Sequence, residues 1–326
     1  MSSLRNGQET NIGLIYKLLC EAPGDLSIYY EPGVQFPDWN AAWSVMTGKG
    51  INRQIRRAYG YLASRYRPGD RIFLFGYSRG AFAVRSLAGL IDQVGLVTAR
   101  HALERNVAQA WRHYETAPDS DTALAFRQAF CHEAAPIEMV GVFDTVKALG
   151  VRLPVVWRMA PDRHAFHNHH LGGAVRHGYH ALAYDERRAA YAPVLWDVPE
   201  GWSGRVEQMW FRGTHGDVGG QLGGFDAARP LSNIPLVWML EKAEACGLVL
   251  PEGWRDRYPT DTSAPSVGTW SGWGKMFMIR APRRRMRDPS ERLHPTLQER
   301  LDQPGRMSRL VEMSKGMTAA MLRRHH

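Results

Sequence analysis

Residues 71–95 read RIFLFGYSRGAFAVRSLAGLIDQVG, and three signals meet in this one stretch. Arg71–Phe75 (RIFLF) is a short, continuous apolar run, the pattern of a parallel strand covered on both faces. From Ala81 onward, Phe82, Leu87, Leu90, Ile91 and Val94 fall along a helical stripe, and Gly95 stands where a helix C-terminal glycine is expected. Between them lies Gly76-Tyr77-Ser78-Arg79-Gly80, a G-x-S-x-G turn. A strand-to-helix turn this tight strains the serine backbone, and small flanking residues let the chain pass close to itself. That geometry holds the Ser78 hydroxyl clear of the sheet. It also sets the Arg79 amide at a helix N-terminus, where an unpaired donor and the helix dipole can stabilise an oxyanion. The plainer reading makes Ser78 a cap for the helix beginning near Gly80.

Working outward, residues 51–66 place Ile51, Ile55, Ala58 and Leu62 at helical spacing, and Pro68-Gly69-Asp70 closes the segment. Leu26–Tyr30 (LSIYY), followed by Glu31-Pro32-Gly33, reads as a buried strand. Downstream, Ile137–Phe143 (IEMVGVF) is a buried strand ending at Asp144, and Val206–Phe211 (VEQMWF) is another, leading to Gly213-Thr214-His215. Open parallel sheets gather ligand chemistry outside the C-terminal ends of their strands, so these polar residues have a common reason to converge. The expectation is an α/β, α/β-hydrolase-like fold: a mostly parallel central sheet with helices on both faces. Segments 98–133 and 147–203 would supply further helices and a helical cap insertion.

Composition agrees. With 326 residues, 44% hydrophobic and 22% charged, the chain is neither disordered, collagen-like nor a disulfide scaffold. Three widely spaced cysteines, Cys20, Cys131 and Cys246, encode neither a disulfide framework nor a CxxC site, which suits a reducing compartment. The N-terminus lacks a secretory signal pattern, and no apolar run approaches the roughly 20 residues of a membrane span. A cytoplasmic protein is expected, or one exported without a signal peptide. Of the net charge of +9, most lies in residues 281–326, where ten Arg and one Lys face five acids. The expected organisation is a catalytic domain over 1–280 and a basic C-terminal segment over 281–326. The run Arg283–Arg287 reads as a solvated tail with a capacity for peripheral contact with anionic lipid, without specificity for nucleic acid.

A serine hydroxyl is a poor nucleophile near neutral pH until a histidine takes its proton, and that histidine needs a carboxylate to fix its tautomer. Asp144 and His215 stand at strand ends, and the chain order Ser, Asp, His is the one usual in α/β-hydrolases. Asp144-Thr145 also fits a helix N-cap. Asp217, two residues past His215, is a supporting residue. The loop GTHGDVGG could bend sharply at Gly213, Gly216, Gly219 and Gly220 or cradle a phosphate, but without Lys-Ser/Thr it is no Walker loop. A rival signal is the cluster His164, His167, His169, His170, His177 and His180, which would suit a metal-dependent phosphoester hydrolase, although HxxHxHH matches no defined ligand spacing. The neighbouring His180–Arg188 reads as a helix start with paired charges. Serine chemistry requires neither cofactor nor metal.

The stretches GYSRGAFAVRSLAGLI, VGVFDTVKALG, HALAYDERR, WFRGTHGDVGGQ and LHPTLQER together resemble the uncharacterised α/β-hydrolase domain family that contains the catalytic domains of type VI secretion phospholipase effectors. The resemblance runs from about Thr10 to Arg300. It implies a Ser-Asp-His hydrolase of acyl esters, a phospholipid among them, with Ser78 as nucleophile, Asp144 as orienting acid and His215 as base. His294, in LHPTLQER, matches a family motif and is the alternative base. Family members usually begin with a strand ending in an Asp-Gly-Thr turn that is not found before Asn11 here, so the expectation is either that the start of the sequence is placed too late or that a central strand, and with it a part of the oxyanion site, is missing. Effectors of this kind also carry large membrane-targeting regions, whereas a short basic segment follows the hydrolase core in this sequence, and no secretion partner is implied by it. A hydrolase-fold binding module without activity is the reading from a different class.

Overall fold

A computed structural model describes residues 4–33, 49–146, 171–197, 201–269 and 280–301. Among the described residues five strands, β1 (Ile72–Tyr77), β2 (Ile137–Phe143), β3 (Val175–Ala183), β4 (Arg205–Phe211) and β5 (Glu291–Leu293), form one sheet in the order β1-β2-β3-β4-β5 with every pairing parallel. The helices are α1 (Asn11–Cys20), α2 (Lys49–Arg65), α3 (Arg79–Val94), α4 (Glu104–Thr116), α5 (Asp121–Phe130), α6 (His215–Gly219), α7 (Arg229–Ala245) and α8 (Pro295–Leu301).

The inner strands bury both faces along most of their length, and in β1 and β2 this is written as an apolar run. Alternate side chains go to opposite sides of a strand. On one side Leu74, Val140 and Val142 join a core with Ile55 and Tyr59 of α2, Leu90 and Ile91 of α3, Trp111 of α4 and Phe126 of α5. On the other, Met139, Phe143, Tyr179 and Phe211 pack with Ile15 and Leu18 of α1 and Leu236, Trp238 and Leu240 of α7. Full burial of one such aliphatic side chain contributes roughly 1.5–3 kcal/mol, so the two layers hold the sheet from both faces. The helices expected within 98–133 are α4 and α5, laid against α3. Residues 147–170, where a cap was expected, lie outside the described residues.

Two expectations are corrected. Leu26–Tyr30 forms no strand: Leu26 is 39% and Tyr29 38% exposed, and the segment lies on α2 through a Tyr29–Tyr61 ring contact and a hydrogen bond from the Tyr61 hydroxyl to the Ile28 carbonyl. Its aromatic rings cover a helix surface instead of filling a sheet. His180–Arg188 begins no helix, because His180–Ala183 is the end of β3, a central strand that the sequence conceals behind arginine, glycine and two histidines. The basic segment also enters the fold: β5 extends the sheet beside β4, and Arg283, expected to be solvated, is 8% exposed.

Strand register aligns the C-terminal ends. Tyr77 pairs with Phe143, Phe143 with Ala181, and Ala183 with Phe211. The pairing continues one residue past the strands, with Ser78 N–H donating to Phe143 O (3.0 Å) and Asp144 N–H to Ala181 O (2.8 Å). Residues from three loops are thereby delivered to one edge.

Candidate active site

Ser78 occupies the turn between β1 and α3 with φ 58 and ψ −120, a left-handed conformation that costs a non-glycine residue of the order of 1–3 kcal/mol. The turn closes tightly: a Cβ at Gly76 would lie 2.6 Å from the Gly80 carbonyl oxygen and 2.7 Å from Ala81 Cα. Ser78 makes no side-chain cap bond to α3, so its hydroxyl is not spent on the helix. Instead Oγ lies 2.9 Å from His215 Nε2. Ser78 is half-buried, leaving its oxygen within reach of a ligand.

His215 is the first residue of α6, following the loop after β4. Its imidazole sits between Tyr77, with ring centroids 4.8 Å apart, and Tyr191, at 4.7 Å edge-on. Three backbone restraints fix it. The Tyr77 hydroxyl donates to the His215 carbonyl (3.1 Å), His215 N–H donates to Glu186 Oε2 (3.1 Å), and Thr214 and Asp217 form a capping box around the residue. Asp217 does not touch the imidazole. Its carboxylate accepts from Thr214 N, Thr214 Oγ1, Ser266 Oγ and Val267 N, all at 2.6–2.9 Å, and so anchors the loop. Gly219 follows because a Cβ there would lie 2.0 Å from the Tyr77 ring.

Asp144 begins the loop after β2 at φ 41 and is fully buried. The helix that Asp144-Thr145 was expected to cap would lie beyond residue 146, outside the described residues. Oδ2 meets His215 Nδ1 at 2.6 Å, Oδ1 accepts from Ala183 N–H at 3.0 Å, and Arg283 donates to both oxygens, Nη1 to Oδ1 at 2.5 Å and Nη2 to Oδ2 at 2.9 Å. Burial alone would raise the Asp144 pKa, but the Arg283 guanidinium and the bond from His215 overcome it and hold the carboxyl well below the usual carboxylate range. His215 is shifted down, chiefly by burial, against the opposing pull of Asp144. A neutral imidazole beside an ionised carboxylate is the protonation state in which Nε2 can accept the serine proton.

Of the remaining candidates, Arg79 is the first residue of α3, where an amide lacks an intrahelical acceptor. His294 is not joined to Ser78: its Nδ1 bonds Thr296 Oγ1 at 2.8 Å, and its ring stacks on Phe211 at 4.6 Å. The histidine cluster does not come together in the part that is described. His177 and His180 are three residues apart on β3 and so point to opposite faces. His180 is fully buried, accepts from Thr145 N–H at Nε2 (3.1 Å) and meets Gln208 at Nδ1 (3.4 Å), while burial pushes its pKa down to about 3. His164, His167, His169 and His170 lie outside the described residues.

Sequence reading missed Arg283, Glu186, Tyr77 and Tyr191. Glu186 is buried, which alone would raise its pKa, but it pairs with Arg188 at 2.6–2.8 Å and accepts from the Arg188 backbone N–H, and this holds it below the ordinary glutamate pKa. Its one sequence signal was the Asp185–Arg188 charge run, read there as paired charges. Arg283 gave no signal beyond its membership of a basic run.

Fold and edge geometry together define an α/β-hydrolase-like domain, with a serine, a histidine and a carboxylate hydrogen-bonded in series past the ends of parallel strands. The chain belongs to the family described as "T6SS, Phospholipase effector Tle1-like, catalytic domain", whose model matches residues 1–242. An uncharacterized protein of Saccharomyces cerevisiae, YEL023C, is 32% identical over 209 residues, covering 56% of this chain and 29% of that protein. Among solved structures, the Tle1 effector bound to the VgrG spike of the type 6 secretion system is 18% identical, covering 65% of this chain and 40% of that one, with a TM-score of 0.36. An uncharacterized protein from Pseudomonas aeruginosa is also 18% identical, covering 68% and 31%, with a TM-score of 0.32. The chain therefore spans less than half the length of each of these relatives. Among the described residues, no helix is long and apolar enough to cross a membrane.

Proposed function

We propose that this protein is a serine hydrolase of carboxylic esters whose substrates are lipids, phospholipids among them. The observation that carries this reading is the 2.9 Å contact of Ser78 Oγ with His215 Nε2, made from a strained, half-exposed turn. His215 Nε2 takes the hydroxyl proton as Oγ attacks the ester carbonyl carbon, and the Arg79 amide, at the start of α3, receives the oxyanion of the tetrahedral intermediate. As that intermediate collapses, the alcohol leaves with the proton from His215. Water, deprotonated by the same imidazole, then releases the acid from the acyl-enzyme. Asp144 keeps the Nδ1 proton in place throughout, Arg283 and Ala183 N–H hold Asp144, and Asp217 holds the loop. The family's description supports the choice of a lipid ester over other acyl compounds.

A fluorophosphonate probe tests the reading directly. The protein should be labelled at Ser78, hydrolyse short-chain esters in the presence of EDTA, and lose both properties in Ser78→Ala. A folded protein that ignores the probe is a binding module, and one whose ester hydrolysis disappears with EDTA uses a metal; either result overturns the proposal.

A further inference from the structure

Fixing the His215 backbone leaves two side-chain torsions, and the bond between Nδ1 and Asp144 restrains only one end of the imidazole. Nε2, at the other end, keeps its place beside Ser78 Oγ when the ring is also held from its sides. Tyr77 does part of this from β1, where the sheet itself fixes it in a buried place. Tyr191 is differently placed. It ends a short turn, Ala189–Tyr191, is half-buried, and meets the imidazole edge-on at 4.7 Å. A loop side chain orients its neighbour only as firmly as it is itself held.

Two arginines hold Tyr191. The Arg188 guanidinium lies 4.1 Å from its ring centroid, within the range of a cation–π contact. Arg188 is gripped in turn by Glu186, Nε donating to Oε1 at 2.8 Å and Nη2 to Oε2 at 2.6 Å, a two-armed geometry that fixes the guanidinium plane. Burial opposes both charges of this pair, but their mutual contact keeps the glutamate pKa below and the arginine pKa above its ordinary value. Arg283 donates to the Tyr191 carbonyl, so the guanidinium that holds Asp144 also holds the turn. Glu186 Oε2 accepts from His215 N–H as well. The contacts therefore close on themselves, from His215 through Glu186, Arg188, Tyr191, Arg283 and Asp144 back to His215.

We infer that Tyr191 is a positioning residue: carried on the Glu186–Arg188 pair and the bond from Arg283, its ring keeps the His215 imidazole aligned between Asp144 and Ser78. The catalytic consequence rests on the proposed hydrolase chemistry, which it extends from the three reacting side chains to the contacts that orient them. The ring does the orienting, and the hydroxyl is not needed for it. Misplacing a catalytic group by about an ångström costs on the order of a hundredfold in rate, and the loss falls on kcat, since substrate binding does not depend on the alignment of the base.

Tyr191→Leu, Tyr191→Phe and Arg188→Gln are compared in the full chain by kcat and KM on a short-chain p-nitrophenyl ester and by the rate of fluorophosphonate labelling. Tyr191→Leu should lower kcat and the labelling rate about tenfold to a hundredfold with KM changed less than about twofold. Tyr191→Phe, which keeps the ring, should recover most of that loss. Arg188→Gln should lower kcat by up to about tenfold, and the double variant with Tyr191→Leu should be about as active as Tyr191→Leu alone, because both changes remove the same support. Tyr191 is half-buried in a loop, so its replacement leaves a folded protein to measure, and thermal melting checks this. Native kcat in folded Tyr191→Leu, a loss confined to KM, no recovery in Tyr191→Phe, or losses that multiply in the double variant would each overturn the inference. A second readout needs no turnover. The Nδ1 proton shared by His215 and Asp144 should give a sharp low-field proton resonance in the native and Tyr191→Phe proteins, broadened or lost in Tyr191→Leu. Should Ser78 fail to react with the fluorophosphonate, the hydrolase reading falls and this resonance decides the role of Tyr191, an unchanged signal in Tyr191→Leu refuting it.

Discussion

Replacing Arg283 by Met should move the acid limb of the ester-hydrolysis pH profile upward. Asp144 Oδ2 lies 2.6 Å from His215 Nδ1 and 2.9 Å from Arg283 Nη2, so the two nitrogens can be no more than about 5.5 Å apart. Two unit charges at that distance repel by ~3 kcal/mol at an effective dielectric constant of about 20, equivalent to roughly two pH units. The guanidinium therefore opposes protonation of His215 while holding its carboxylate partner ionised. The base must be neutral to act, so kcat/KM falls as pH drops through the His215 pKa. In the native protein that pKa lies below the ordinary histidine value of 6.5. Without Arg283 the protonated imidazole keeps the attraction of Asp144 and escapes the repulsion. Solvent entering from the half-exposed serine side screens part of the effect, leaving an expected rise of about one to two pH units. The assay is kcat/KM for a neutral ester from pH 4.5 to 9, repeated as the rate of fluorophosphonate labelling. Arg283→Lys keeps the charge, loses one arm of the fork and should leave the limb near its native position with a lower plateau. A folded Arg283→Met protein whose acid limb stays where it was would refute the reasoning, since a purely structural arginine would lower the plateau and nothing else.

Three further outcomes follow from the site. Ser78→Gly and Ser78→Ala should both be inactive, but the glycine variant should be the more stable by about 1–3 kcal/mol in urea unfolding, because only glycine accepts φ 58 and ψ −120 without strain. Asp217→Asn should cost about 1–3 kcal/mol of stability and lower kcat/KM, because the amide replaces a carboxylate that gathers two backbone N–H groups and two hydroxyls around the loop. The melting temperature should fall as pH drops from 6.5 toward 4. Burial holds His180 at about 3 and His294 at about 4, so the unfolded chain takes up these protons first and the loss ends only when the folded-state values are reached. Asp144 works in the opposite window, its contribution being complete above the ordinary carboxylate pKa and lost only at lower pH. His180→Gln should flatten the decline between pH 6.5 and 4.

The elements around Ser78, Asp144 and His215 were legible because a strand buried on both faces is written as an apolar run, and each such run stops at a polar residue. β3 was not, since Val175–Ala183 carries Arg176, His177, Gly178 and His180. The two histidines suggested a ligand cluster, yet the chain tolerates His180 in the core because Gln208 and the Thr145 amide satisfy its nitrogens. The opposite error arose at Leu26–Tyr30, where apolar and aromatic composition is met by contact with a helix. Arg283 is the sharpest case. Four arginines stand in Arg283–Arg287, and nothing local distinguishes the one that turns inward; the choice is made by a buried carboxylate 139 positions earlier.

That late counterion has a consequence for biosynthesis. A growing chain presents Ser78, then Asp144, then His215 to the folding sheet, and each arrives while the guanidinium that neutralises the buried carboxylate is still untranslated. β5, which completes the sheet beside β4, is encoded later still. A nascent or prematurely ended polypeptide would thus hold this buried carboxylate with the Ala183 amide and His215 as partners but without its guanidinium, leaving the reactive edge less firmly held and open to quality control.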